Sequence, residues 1–395
     1  MLPEGWEHTK FGHAFNSSRT KGRPGLSTLS VTLTEGLVAR DSLDRKMDTN
    51  LTAGEHLLVK TGDIAYNMMR MWQGASGLAS HDALVSPAYV VLRAKNNIDP
   101  LFAAYLFKLA RTIHLFWAYS YGITDDRLRL YFKDFSAIPV NLPPLPEQRK
   151  IAEILSTWDR AIEVTQKLIA NARAQKKALM QQLLTGKKRL PGFSGEWRRG
   201  TLSDFLLAIF GGGTPDKSKS EYWGGDIAWA SVKDMGGLYL SQTVDSITRK
   251  GLEASSSKIV EPGRVITATR MAVGSVTRAT IPVAINQDLK AFIPSAALSD
   301  DYLFLLLRYW APALELRGTG STVKGIRLET LEGLPVQIPE PEEQAAISEV
   351  ILSNDRETDQ RLASLRVLKT EKAALMQQLL TGKRRVTVER EAACA

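Results

Sequence analysis

The decamer ALMQQLLTGK occupies Ala178–Lys187 and returns, letter for letter, at Ala374–Lys383, an offset of 196 positions in a chain of 395 residues. Carried backwards, the same offset lays IPVNLPPLPEQRKIAEIL (Ile138–Leu155) on LPVQIPEPEEQAAISEVI (Leu334–Ile351). Pro139 meets Pro335, Pro143 meets Pro339, Glu147-Gln148 meets Glu343-Gln344, and Asp159-Arg160 meets Asp355-Arg356. The offset is constant from about residue 138 to 189, so that stretch has accepted no insertion or deletion. Upstream the halves agree only in patches, such as Arg70-Met71 and Gly74 against Arg270-Met271 and Gly274. A repeat of this length means one structural unit used twice, and the chain reads as variable, constrained, variable, constrained.

The constrained segments predict long helices. Each opens on a proline-rich exit, then Pro146-Glu147-Gln148 or Pro341-Glu342-Glu343. Proline suits the first helical turn, and acids suit its positive dipole end. Each closes at Gly186 or Gly382 followed by basic residues, as helix termini do. Roughly 40 residues without Gly or Pro lie between, or ~60 Å of helix. In the first copy Ile151, Leu155, Trp158, Ile162, Thr165, Ile169, Ala172, Lys176, Leu179 and Leu183 alternate steps of four and three. That spacing is a coiled-coil seam, interrupted at Thr165 and Lys176. In the second, Ile347 and Ile351 start the stripe, Asn354, Thr358 and Arg361 interrupt it, and Leu365, Leu368, Leu375 and Leu379 restore it. Asn354 and Arg361 either fix register or face solvent, and Arg361 is expected in solvent. Helices this long need a packing partner in water. The simplest is each other, laid antiparallel by a two-fold related duplication. The alternative is two amphipathic helices, each folded back on its own domain.

Length allows two or three domains with cores of their own. A net charge of +9 fits a polyanionic partner, as it also fits mere mutual repulsion in solution. No apolar run approaches the ~20 residues of a membrane span, and MLPEGWEHTK has no signal-peptide apolar region. The single cysteine, Cys394, rules out an intrachain disulfide or a cysteine metal cluster. A soluble intracellular protein is expected.

Residues 1–137 and 190–333 read as mixed α/β, with β-rich runs at Ala88–Leu92 and Arg264–Ala268. Apolar helical runs fall at Pro100–Ala110 and Asp301–Trp310. The most distinctive stretch is FGGGTPDKSKSEYWGGDIAWASVKDM (Phe210–Met235). Gly212, Gly213 and Thr214 resemble a phosphate cradle, although the GK[ST] ending of a P-loop is missing. Lys217, Lys219 and Lys233 surround Tyr222 and Trp223, a mixture suited to phosphate contact and stacking. A tight turn before a buried Tyr-Trp pair explains the same letters equally well. Further basic candidates are Arg19, Lys21, Arg23, Arg70 and Arg127 in the first half, with Arg270 and Lys324 in the second. Each can pair with a base edge, hold a phosphate or simply be solvated.

An enzyme reading finds little support. All five histidines lie in the first half, so no catalytic or metal-binding histidine is duplicated. HExxH, GxSxG and CxxC are absent. Asp63 and Glu55 could begin a nuclease cluster, but the second half offers no counterpart, and His81-Asp82 reads as an ordinary loop. No metal site is expected.

With the paired helices, the LPPLPEQRKIAEIL entry and the GGTP…YWGGDIAW block in hand, the chain resembles the specificity (S) subunit of type I restriction–modification systems. The resemblance covers nearly the whole chain. It implies an α+β (mixed) fold: two α/β target-recognition domains separated by two long helices that form an antiparallel coiled coil, with internal pseudo-two-fold duplication. The expected boundaries are 1–141 for the first recognition domain, 142–189 for the central spacer helix and 190–337 for the second domain. The C-terminal spacer helix follows at 338–385, with a tail at 386–395. The resemblance also implies a non-catalytic subunit in the prokaryotic cytoplasm that binds double-stranded DNA, each domain reading half of a bipartite target. Two methyltransferase (M) subunits would dock on the helices, and two restriction/translocase (R) subunits would join through them. No cofactor is expected in this chain; adenosylmethionine, ATP and magnesium belong to the partner subunits. Ile154, Leu168 and Met180 are candidates either for that docking or for thickening the helical core.

Overall fold

The computed structural model describes residues 2–43, 51–124, 127–318 and 325–387. Two compact units divide the chain, residues 1–166 with 363–395 in the first and 167–362 in the second. Both boundaries fall inside the long helices, which run Leu145–Leu183 and Pro341–Leu379. Each unit therefore owns one part of each helix.

In the first unit a four-stranded antiparallel sheet takes the order Phe15–Ser18, Tyr89–Ala94, Ile64–Asn67, Ser76–Leu78. Leu57–Val59 pairs with Ala83–Val85, and Glu7–Lys10 with Pro139–Leu142. The core is aromatic: Phe11 stacks on Phe135 at 4.9 Å between centroids and meets Phe107 edge-on at 5.3 Å. Ile151 and Leu155 of the first long helix, and Leu379 of the second, join that same core. Burial of such side chains contributes roughly 1.5–3 kcal/mol each, which is what docks helices that could not stand alone.

The second unit repeats the plan with more strands. A five-stranded sheet takes the order Leu206–Gly211, Leu289–Pro294, Val265–Ala268, Val276–Ala279, Tyr239–Leu240. A four-stranded sheet takes Asp245–Ile247, Trp223–Ala230, Val283–Ile285, Lys258–Val260. Leu183 and Ile347 pack with Tyr302 and Leu303 of the helix Asp300–Arg317. The fold is mixed helix and sheet, as expected. The helical run foreseen at Pro100–Ala110 is instead two helices, Pro100–Leu106 and Ala110–Ala118, whereas its counterpart in the second unit is one.

The repeated letters make repeated contacts. Gln148 accepts from the amide of Asp99 at 2.9 Å and donates to the carbonyls of Asn97 and Pro143. Gln344 does the same with Ser299, Ala297 and Pro339. Asp99 and Ser299 are themselves N-caps, accepting from Phe102 and Tyr302. One glutamine thus ties the strand exit, the long helix and the cap of a neighbouring helix together.

The helix segments pair antiparallel within each unit. In the second unit Lys176 meets Asp355 and Arg189 meets Glu343, so one number falls as the other rises. In the first unit Asp159 meets Lys372 and Glu147 meets Arg385, the same contacts displaced by 196 positions. Every seam position named from the sequence of the first helix is buried or half-buried. So are those of the second, and here one expectation fails. Arg361 is not left to solvent: its Nη1 donates to the Leu168 carbonyl at 3.2 Å and its Nη2 to Glu357.

Candidate nucleic-acid interface

The glycine run of the second unit leaves the strand Leu206–Gly211 and packs backbone against backbone. Gly212 N–H donates to the Asn286 carbonyl at 3.2 Å and Gly213 N–H to the Ile285 carbonyl at 3.1 Å. A Cβ on Gly212 would stand 1.7 Å from the Ile285 carbonyl oxygen. The Gly213 carbonyl turns inward and accepts from Trp229 Nε1 and Ser257 Oγ. A phosphate cradle needs free amides, and these are spent. That reading of Gly212 and Gly213 is corrected: they are small because a strand passes against them. The buried tryptophan is Trp229, 4% exposed, whereas Tyr222 and Trp223 are half-buried.

Beyond the glycines the chain opens a cleft of about 620 Å³. Thr214, Lys217, Trp223, Lys233, Met271 and Gln287 line it. Lys217 and Lys233 are exposed and have no ion-pair partner among the described residues. Lys219 is outside the cleft lining; its ammonium lies 5.3 Å from the Tyr222 ring centroid and donates to the Tyr222 hydroxyl, the contact that holds its amine above the ordinary range. Arg270 lies 3.6 Å from Asp288, with more than half of its side chain exposed. Lys324 lies outside the described residues. The cleft therefore offers apolar and aromatic surface, two lysines outside any ion pair among the described residues, the carboxylates of Asp245 and Asp288, and several amide and hydroxyl groups. Such a mixture can hold a phosphate backbone while meeting base edges.

Met271, Asn286, Gln287 and Asp288 were not found from the sequence. Met271 is the one non-glycine residue at positive φ (63°) among those described, and it is 67% exposed. Nothing in the letters announces that conformation. The Asn-Gln-Asp triplet between two β-rich runs was a legible turn signal.

The first unit spreads its candidates over three loops. Arg19, Lys21 and Arg23 are all exposed. Their loop is held down at Gly22, whose amide donates to the His56 carbonyl and whose absent side chain admits Leu84 and the Ala53 carbonyl. Arg70 is exposed and donates to Gln73 at 3.2 Å. Arg127 is exposed on a loop tied back by the pairing of Tyr121 with Arg129. That loop also shows Ile123, 93% exposed, and Tyr121. Leu130 N–H bonds to the Met68 carbonyl, which brings the loop beside the Arg70 turn.

The last basic residue after each repeated decamer makes an ion pair across the two long helices. Arg189 grips Glu343 through two bonds of 2.5 and 2.6 Å, and Arg385 grips Glu147 at 2.7 and 2.8 Å. Both glutamates are almost wholly buried. These arginines close the helix pair rather than reach toward phosphates. Among the docking candidates, Ile154 and Met180 pack on the cores, while Leu168 is exposed.

The acids weighed for catalysis stand in separate local roles. Asp63 is buried against Arg93 at 3.0 Å. Glu55 closes a capping box with Thr52, whose amide and hydroxyl hold its carboxyl below the usual range. Among the described residues no group of three His, Cys, Asp or Glu is placed to hold a metal. No helix among them is long and apolar enough to cross a membrane.

Comparison with known proteins gives concordant matches. The type I restriction modification DNA specificity domain matches twice, at residues 12–173 and 194–365. The type I restriction enzyme MjaIX specificity subunit of Methanocaldococcus jannaschii is 32% identical over 148 residues, which are 36% of this chain and 34% of that one. The putative MjaX specificity subunit of the same organism is 26% identical over 304 residues, 74% of this chain and 70% of that protein. The crystal structure of the HsdS subunit from Thermoanaerobacter tengcongensis superposes with a TM-score of 0.52 at 21% identity. That superposition covers 97% of this chain and 98% of the other.

Proposed function

The chain belongs to the type I restriction–modification DNA specificity family, and from that premise we propose that it is the sequence-reading subunit of a type I restriction–modification complex. Each recognition domain reads one half of a bipartite double-stranded target, and the paired helices set the distance between the halves. The chain is non-catalytic. Two methyltransferase subunits dock on the helices and supply the adenosylmethionine chemistry, and two restriction/translocase subunits bring ATP and magnesium. The assembly works in the prokaryotic cytoplasm.

One observation carries this reading: the two units repeat their framework and differ at their surfaces. Glu147–Arg385 and Glu343–Arg189 are the same contact, as are Asp159–Lys372 and Asp355–Lys176. Exposed turns are less uniform: Arg70-Met71 returns as Arg270-Met271, but the turn before the last long strand of each sheet does not repeat. Where the second unit has Asn286-Gln287-Asp288 between strands, the first has Ser86-Pro87-Ala88. A pair of readers for two different half-sites needs a common mount and unlike faces.

The test adds one helical turn to both long helices where the units divide, between Gln166 and Lys167 and between Leu362 and Ala363. One turn is ~5.4 Å and a base pair ~3.4 Å, so the separation of the half-sites should grow by one to two pairs. Both half-site sequences should stay as they are. Altered half-sites at an unaltered separation would overturn the spacer role.

A further inference from the structure

The turn Asn286–Asp288 joins the strands Val283–Ile285 and Leu289–Pro294 at the edge of the cleft. Its outer two residues are occupied in building it. Asp288 N–H donates to Asn286 Oδ1 at 3.1 Å, and Asn286 Nδ2 donates to Asp288 Oδ2 at 3.3 Å. The Asp288 carbonyl accepts from the amide and the hydroxyl of Thr269. The middle residue contributes its carbonyl, which accepts from Lys290 Nζ at 3.2 Å, but its side chain is free of that work. Gln287 is exposed, and its Oε1 accepts from Thr214 Oγ1 at 2.7 Å. Its Nε2 has no partner among the described residues.

Thr214 is itself fixed, because it follows the two glycines clamped against Ile285 and Asn286. The Gln287 carboxamide is therefore held at one end, with both N–H donors and a second lone pair on its oxygen unspent. A donor beside an acceptor matches the N7 acceptor and N6 donor that adenine presents in the major groove. Lys217 and Lys233, in the same cleft, can hold the flanking phosphates. The corresponding turn of the first unit has Pro87 in the middle place, which has no side-chain donor or acceptor.

We propose that Gln287 reads an adenine edge in the half-target of the second recognition domain, an inference that rests on the chain being a DNA sequence reader. The test assembles the full-length chain with its methyltransferase subunits, binds a library of random duplexes and sequences those retained. With Gln287→Ala, preference at one adenine of one half-site should fall about 10- to 100-fold, with every other position and the half-site spacing kept. With Lys217→Ala, all sequences should weaken alike and the salt slope should become shallower by about one unit. The proposal is overturned if Gln287→Ala changes no position, relaxes a base other than adenine, or weakens all sequences evenly. If the unaltered complex itself enriches no sequence, the sequence-reading function fails and this proposal with it.

Discussion

Lys176 of the first long helix donates to Asp355 of the second, with only 12% and 11% of the two side chains exposed. Arg308 adds a second cation to the same carboxylate at 3.1 Å. Burial pushes the Lys176 amine below its ordinary range despite the pull of Asp355. The first unit makes the equivalent Lys372–Asp159 pair, but there the Tyr105 hydroxyl, at 2.6 Å, takes the place of the arginine. The same helix contact thus accepts different supports from its two domains.

Asp355→Ala should leave two largely buried cations facing each other without the carboxylate they share. Breaking a buried pair in this way costs about 3–5 kcal/mol. Urea denaturation of the full-length chain, followed by tryptophan fluorescence, reads that loss. Replacing the trio together (Lys176→Met, Arg308→Met, Asp355→Leu) should recover most of it, since well-packed apolar residues replace buried ion pairs at little cost. A triple variant no more stable than Asp355→Ala would contradict this account.

Gly212→Ala separates the packing role of the glycine run from an anion-binding one. The new methyl would collide with the backbone of Ile285, which cannot swing aside as a side chain can. A stability loss of at least about 2 kcal/mol is expected, as for overpacked cores. The salt dependence of DNA binding should not change, because no amide there is available to a phosphate. A shallower salt slope in a stably folded variant would restore the cradle.

Met271 holds a left-handed backbone at φ 63°, a conformation that costs a non-glycine residue about 1–3 kcal/mol, with its side chain in water. Met271→Gly should raise the melting temperature through relief of that strain while lowering DNA affinity through loss of an apolar contact in the cleft. Opposite movements of the two readouts would place Met271 at the interface. A rise in melting temperature with unchanged affinity would remove it from there.

The sequence by itself determined the frame. The 196-residue offset, the helix-entry prolines, the closing glycines and the four-three spacing of apolar residues are local or periodic, and local chemistry decides them. Ile151, Leu155, Ile169 and Leu183 are buried as their spacing requires. Tertiary structure decided everything that depends on which distant residue arrives. Arg385 is one of the basic residues that follow a closing glycine, and only the arrival of Glu147, 238 positions away, makes it half of an ion pair. Arg361 looked solvated until the Leu168 carbonyl, 193 positions away, came within reach. Gly212 and Gly213 read like an anion site because glycine runs serve both open cradles and close packing, and only the approach of the Ile285–Asn286 backbone chose between them. Gln287 gained its meaning in the same way: a turn glutamine is ordinary until Thr214, 73 positions earlier, holds one end of its amide and leaves the other free.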